Sequence, residues 1–273
     1  MLSISIGPLA FPVAPMWLLA TLFFTLWLAG RRAGPQAARL ADAAVWWAAA
    51  WGLLAARAAH VIGHLDAYAD HPLDVLDLRD GGWWSPAGMV AFALSLAWQT
   101  RARPALRRPL YGAGLAGGAL WLAGQGALFV ADGGLEDRAP PAVTLQAFPD
   151  GRPQPLPALL DGRPVVVNLW ASWCGPCRAE MPMLAQAQQA NPGVRFLFVN
   201  QGEGNEAVRA YLQREGLPLQ DVWLDPAARL GPAVGSRGLP TTLFFDARGR
   251  RVDAHFGLLS AASLRTRLQA LKP

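Results

Sequence analysis

No charged side chain occurs anywhere in residues 1–30. A hydrocarbon layer about 30 Å thick is crossed by roughly 20 helical residues, so this run is long enough to span one. Inside lipid the backbone must satisfy its own hydrogen bonds, which makes a helix the simplest form for a single segment. A cleaved export signal carries basic residues ahead of its apolar stretch, and none precedes this one. A retained helix at about 7–30 is therefore expected. Three further apolar runs follow: 41–63, interrupted by Arg57, then 83–100 and 109–131, both uncharged. The first 131 residues thus read as an all-α transmembrane bundle of four helices. Gly112, Gly114, Gly117 and Gly118 would let helices approach closely. A bundle of buried soluble helices is the alternative, but the polar faces such helices need are missing.

The loops set an orientation. Arg31, Arg32 and Arg39 lie between the first two runs, and Arg101, Arg103, Arg107 and Arg108 between the last two. The intervening loop, 64–82, carries Asp66, Asp70, Asp74, Asp77 and Asp80 against Arg79. Positively charged loops stay in the cytoplasm. The N-terminus, the acidic loop and everything after 131 are then outside, with Trp83 and Trp84 at an interface. The net charge of +5 is explained by this topology. A nucleic-acid partner is not expected, because the basic residues form no aromatic-interleaved patch.

Residues 132–141, DGGLEDRAPP, read as a linker, and a soluble α/β pattern follows over 142–273. Val165–Trp170 and Val194–Asn200 are apolar runs of buried-strand type. Helical composition covers Cys174 to about Ala190 and Glu206–Glu215, with a short strand at Val222–Leu224 between it and the rest. Thr241–Asp246 and Val252–Phe256 flank a Gly-containing turn, as in a hairpin. A helix over Ser260–Leu271 closes the chain, Ser260 being its expected N-cap.

The chain has 2 Cys, both in Trp173-Cys174-Gly175-Pro176-Cys177. The motif follows an expected strand and opens an expected helix. A zinc site would need a second ligand pair, and none has the spacing, so no metal is expected. A helix N-terminus stabilises an anion through its free N–H groups and dipole, which lowers the pKa of a thiol placed there. Cys174 is expected to be the exposed nucleophile and Cys177 the resolving thiol. A purely structural disulfide is the alternative, but so tight a loop constrains little of the unfolded chain.

The stretches VVVNLWASWCGPCRAEMPML (165–184) and GLPTTLFFDARGR (238–250) resemble the membrane-anchored, periplasmic TlpA/ResA-type reductases, and residues 142–273 resemble the thioredoxin fold. The resemblance implies a cis Leu239–Pro240 bond that places Pro240 beside the disulfide and leaves backbone groups free to pair with a substrate strand; an ordinary turn proline is the alternative. It places Asn168 where thioredoxin has a buried Asp, removing one proton acceptor for the resolving thiol. It matches Glu180 to the group's CxxCxxE pattern, where a carboxylate near the thiols would raise their pKa values and could accept a proton. A solvent-facing first-turn Glu, favoured by the helix dipole, is the other reading. Pro182 matches a proline that kinks the active-site helix. Trp170 and Trp173 would shape the site, and the Gly175-Pro176 dipeptide resembles reducing thioredoxins.

Residues 57–76, followed by Gly81-Gly82, resemble the early part of prolipoprotein diacylglyceryl transferase over perhaps residues 1–130. That family's essential His falls on Pro86 here, and its later helices are absent. Arg57, an ionisable residue within a membrane run, would either meet a lipid phosphate or snorkel outward toward Asp66. His60 and His64, four apart on one helix face, read as polar interface residues rather than metal ligands.

The expected activity is a periplasm-facing thiol–disulfide oxidoreductase of the inner membrane, acting as a reductant without a cofactor. The alternatives are an oxidase or isomerase using the same dithiol, and a lipid-binding membrane protein with a regulatory thioredoxin domain. The expected partners are disulfide-containing exported proteins, such as cytochrome c or copper-site assembly substrates, and membrane lipid. The membrane half has no cysteine, so it cannot relay dithiol electrons. A separate transmembrane dithiol donor of the DsbD/CcdA type is therefore expected.

Overall fold

The computed structural model describes residues 3–6, 9–69, 72–77, 81–131 and 139–271. It divides into two compact units. One comprises 14–69 and 82–130; the other comprises the described residues of 1–13, 70–81 and 131–273. The expected linker lies outside the described residues up to 138, as do Asp70, Arg79 and Asp80.

The first unit is helical. Helices α1 (Val13–Ala33), α2 (Ala38–Gly63) and α3 (Leu65–Tyr68) are followed by α4 (Ser85–Arg101) and α5 (Arg107–Ala131). Among the described residues, three segments are long and apolar enough to cross a membrane: Val13–Ala33, Ala38–Gly63 and Pro104–Ala131. The fourth expected span, α4, has 17 residues. Helix α1 starts at Val13, not at the expected position 7. The alternating Ser3-Ile4-Ser5-Ile6 has the period of a strand. It forms β1 (Ser3–Ile6), which pairs antiparallel with β2 (Leu9–Pro12). Pro15 then falls in the first turn of α1, where its missing N–H costs nothing.

Small residues set the helix packing. Ala29, Ala41, Ala44, Val45, Ala48, Leu96, Leu110 and Ala113 form a buried cluster. A Cβ added to Gly52 on α2 would lie 3.0 Å from the Gly88 carbonyl oxygen on α4, and one on Gly88 equally close to the Gly52 oxygen. Of the glycines expected to matter, Gly112 abuts Arg32, Gly114 abuts Leu96 and Gly117 abuts Thr25, whereas Gly118 has open space around it. The Gly52–Gly88 crossing was not foreseen, because the two glycines lie in different runs and share no local pattern.

The second unit is built on a seven-stranded sheet. Its strands are β3 (Thr144–Ala147), β4 (Pro153–Pro155), β5 (Val165–Trp170), β6 (Arg195–Gln201), β7 (Val222–Asp225), β8 (Thr241–Phe245) and β9 (Arg251–Phe256), in the order β4-β3-β7-β6-β5-β8-β9. Strands β5, β6 and β7 run parallel, while β8 lies antiparallel to β5 and β9 antiparallel to β8. Helices α6 (Gly175–Ala190), α7 (Asn205–Glu215), α8 (Leu230–Ala233) and α9 (Ala261–Leu271) complete a thioredoxin-like α/β domain. The Ser263 N–H donates to Ser260 Oγ at 3.1 Å, so the expected cap on α9 is present. Strands β3 and β4 were missed by sequence, being short and proline-bounded with no alternation to mark them.

Every residue of β5 is buried, which requires a core on each face. Val166 and Trp170 point into one cluster with Phe196, Phe198, Phe244, Met181 and Leu184. Val165, Val167 and Leu169 point into the other with Leu197, Val199, Leu243 and Phe245. Alternation along a strand therefore puts Asn168 on the face of Val166 and Trp170, toward α6.

Overpacking a tight helix crossing costs about 1–3 kcal/mol. Gly88→Leu is expected to lower the thermal midpoint of the detergent-purified chain, while Gly118→Leu leaves it within error. Equal effects of the two would contradict the crossing described.

Candidate active site

Strand β5 ends at Trp170, and the chain turns through Ala171–Cys174 into α6. Cys174 is the N-cap of that helix, its Sγ accepting from the Cys177 N–H at 3.2 Å. Pro176 sits in the first turn, where the fixed φ of proline suits a helix start. Cys174 and Cys177 form a disulfide, with Cα atoms 5.3 Å apart. Cys177 is fully buried, and Cys174 is only 5% exposed. The order of accessibility is the expected one, but the first cysteine is not openly exposed in the oxidised form. It is packed in the cluster that holds Trp170. Trp173 is 71% exposed and forms the apolar surface next to the disulfide in sequence. Trp170 is fully buried and packs its ring on Tyr211, with centroids 5.2 Å apart. It therefore supports the site from beneath.

Glu180 does not face solvent; it is 2% exposed. Three residues after Cys177, it shares the inward face of α6 with Cys177, Met181 and Leu184. Asn168 Nδ2 donates to Glu180 Oε1 at 2.9 Å and to Thr242 Oγ1 at 3.0 Å. The Leu259 N–H donates to Glu180 Oε2 at 3.0 Å. Burial pushes the Glu180 carboxyl up to about 7, against the lowering effect of the Leu259 and Asn168 hydrogen bonds. The site thus holds a carboxyl one helical turn from a cysteine, poised to exchange a proton near neutral pH. Pro182 lies within α6, as expected.

The Leu239–Pro240 bond is cis, and a second cis bond, Phe148–Pro149, was not anticipated. Leu239 packs against the cluster containing both cysteines. The Pro240 carbonyl accepts from the Gly257 N–H at 2.9 Å, so that carbonyl belongs to the sheet. Thr242 and the Leu259 amide were missed by sequence. The signal for Thr242 was its parity: it pairs with Asn168 across β5 and β8. Leu259 contributes only a backbone group, which no side-chain pattern marks.

In the helical unit, Arg57 is buried; its Nη1 donates to the Gly82 carbonyl at 3.0 Å and its guanidinium lies over the Tyr68 ring. His60 and His64 are stacked, with ring centroids 4.6 Å apart. Among the described residues, no group of three His, Cys, Asp or Glu side chains is arranged to hold a metal ion.

The part of the chain that holds this site is similar in sequence to known proteins. Residues 135–258 match the family model described as Redoxin. The thiol:disulfide interchange protein HelX of Rhodobacter capsulatus is 34% identical over 116 residues, covering 42% of this chain and 65% of that protein. The thiol:disulfide interchange protein DsbE of Pseudomonas fluorescens is 35% identical over 111 residues, covering 41% of this chain and 61% of that protein. The thiol-disulfide oxidoreductase ResA of Halalkalibacterium halodurans is 30% identical over 116 residues, covering 42% and 65%. The chain therefore spans just under two thirds of these relatives' lengths. Its C-terminal half is related by sequence to the thiol–disulfide oxidoreductases.

A carboxyl whose folded pKa is raised keeps its proton when the unfolded chain has already lost one. Between about 4.5 and 7 the native state then binds more protons than the unfolded state, so stability falls as pH rises through that window. The limiting slope for one group is ~1.4 kcal/mol per pH unit. In denaturant titrations of the full chain, Glu180→Gln is expected to flatten this decline. An unchanged profile would place the titrating group elsewhere.

Proposed function

We propose that the chain is a membrane-anchored thiol–disulfide oxidoreductase whose Cys174/Cys177 dithiol reduces disulfides in exported proteins. The observation that carries this reading is the disulfide at the N-terminus of α6 with the buried, high-pKa Glu180 one turn behind it. In the reduced form the Cys174 thiolate attacks one sulfur of a substrate disulfide, giving a mixed disulfide and a substrate thiolate. Cys177 then gives its proton to ionised Glu180 and attacks Cys174 Sγ. The second substrate sulfur leaves as thiolate, and Cys174–Cys177 is oxidised. Two electrons pass to the substrate. Glu180 later releases the proton to solvent or to a departing thiolate. Asn168 and the Leu259 amide hold the carboxyl in place, and neither takes up a proton. Pro240, Leu239, Trp173, Gly175 and Pro176 supply the rim on which a substrate strand lies.

The anchor is read as four spans, with α4 as the fourth, an external N-terminus and the thioredoxin-like domain in the periplasm of a bacterial inner membrane. The Arg-rich loops support that orientation. Apocytochrome c and copper-site assembly proteins are the proposed substrates, in keeping with the interchange activity named for the relatives. Electrons come from a membrane dithiol protein of the DsbD/CcdA type, because neither cysteine lies in the helical unit.

Four measurements test this. Cys174→Ser abolishes disulfide reduction by the full chain, while Cys177→Ser accumulates mixed disulfides with exported proteins and with a membrane thiol protein in cells. Capture of no membrane thiol protein would remove the proposed donor. Glu180→Gln slows resolution by about 10²-fold, the contribution of one general base, and flattens the rate's dependence on pH near 7. A measured reduction potential near −120 mV, against the roughly −270 mV of a reducing thioredoxin, would make the chain an oxidant instead.

A further inference from the structure

The turn that carries Cys174 is held from outside by a residue absent from the mechanism above. Ala171–Cys174 is closed by the Cys174 N–H donating to the Ala171 carbonyl at 3.2 Å. The Ser172 N–H donates to Glu203 Oε2 at 2.7 Å, and Ser172 Oγ donates to Glu203 Oε1 at 2.5 Å. Asn200 Nδ2 also donates to Glu203 Oε2, at 2.7 Å. Asn200 is fully buried near the end of β6, directly opposite Trp170 at the end of β5. One carboxylate therefore takes three donors and ties together the ends of two neighbouring parallel strands. The loop that presents it is itself fixed, since the Gly202 N–H donates to the Asp225 carbonyl at 3.0 Å. Hydrogen bonds to an ionised acceptor are roughly twice as strong as neutral ones.

We propose that Glu203 is a positioning residue for Cys174: it fixes the Ala171–Cys174 turn through Ser172 and thereby keeps the thiol on the N-terminus of α6. This rests on the reading of Cys174 as the nucleophile. While the disulfide is closed, Cys177 also restrains Cys174. Once it opens, the covalent tie is gone and the clamp on Ser172 persists. Displacing a reacting group by about 1 Å can cost on the order of 10²-fold in rate. Drifting off the helix N-terminus would also remove part of the stabilisation of the thiolate.

The variants separate position from charge. Glu203→Gln keeps one oxygen for the Ser172 and Asn200 N–H groups, and its amide N–H can donate to Ser172 Oγ, which reverses to accept. The clamp survives without its charge. Glu203→Ala removes both. Removing charge alone lowers the pKa of a nearby thiol, whereas losing the clamp raises that of Cys174, so the two explanations have opposite signs.

The test uses the full chain in detergent with Cys177→Ser, following alkylation of Cys174 by iodoacetamide against pH, its exchange rate with 5,5′-dithiobis(2-nitrobenzoate), and the thermal midpoint. Glu203→Ala is expected to move the alkylation midpoint up by half a unit or more and to slow exchange about tenfold. Glu203→Gln should stay within twofold of the parent. Ser172→Ala, which removes only the Oγ donor, should shift the midpoint the same way by less, and it decides the matter if Glu203→Ala fails to accumulate. A Glu203→Ala profile superimposed on the parent's, or a matching downward shift in both Glu203 variants, overturns the proposal. So does a Ser172→Ala profile superimposed on the parent's where Glu203→Ala gives no protein. A fall in thermal midpoint with no change at Cys174 reduces Glu203 to a structural residue and overturns it equally. These readouts need neither electron donor nor protein substrate, so they stand even if the chain reduces no exported protein.

Discussion

Strand β5 is hydrogen-bonded along both edges and buried on both faces, and the active site depends on where it ends. Its parallel pairing to β6 and antiparallel pairing to β8 leave it little freedom to slide. Side chains of β6 and β8 flank it in both apolar clusters. The turn after Trp170 therefore starts from a fixed point and can deliver Cys174 to the start of α6 with little conformational freedom. A nucleophile on a mobile loop would lose that orientation at each turnover.

The polar groups of the site repeat this logic on a smaller scale. Asn168 is a buried amide among apolar side chains, and such a group is costly unless it is paired. Here its Nδ2 spans two strands and a helix, reaching Thr242 and Glu180. The Glu180 carboxyl is in turn capped by the Leu259 amide. Burial and hydrogen bonding act in opposite directions on its pKa, and burial wins, though not by enough to keep it protonated at all physiological pH values. An Asp at position 168 would place a second ionisable group beside Glu180. The amide at 168 instead adds no second carboxyl beside Glu180.

The parts legible from sequence were those with a strong local period or a contiguous motif. The apolar runs gave the helices, and the buried strands β5 and β6 were visible as uninterrupted β-branched and aromatic stretches. Cys174, Cys177 and the start of α6 followed from one pentapeptide. Glu180 was visible as a residue but not as a buried one, because the groups around it come from distant segments, the Leu259 amide that donates to it lying 79 positions away. Strand β2 falls inside the helix expected from position 7, because an uncharged run satisfies the composition of either element; the Ser-Ile alternation that marks a strand lies in β1, ahead of that expected helix. Glu203 was invisible, since Gln201-Gly202-Glu203-Gly204 reads as an ordinary polar turn. What selects that glutamate is the adjacency of two strand ends, a fact of the fold rather than of the local sequence.

The alternation along β5 has an evolutionary corollary. Asn168 faces α6 only because an odd count separates it from Leu169 and an even one from Trp170 and Val166. Losing or gaining a single residue within the strand would turn the amide toward the opposite core and break its link to Glu180, however conservative the change in composition. Losing or gaining two would preserve parity. The loops beyond the strand ends face no such rule. Lineages of this domain should thus vary freely in loop length while keeping the parity of this strand, so that the chemistry is inherited as a count as much as an identity.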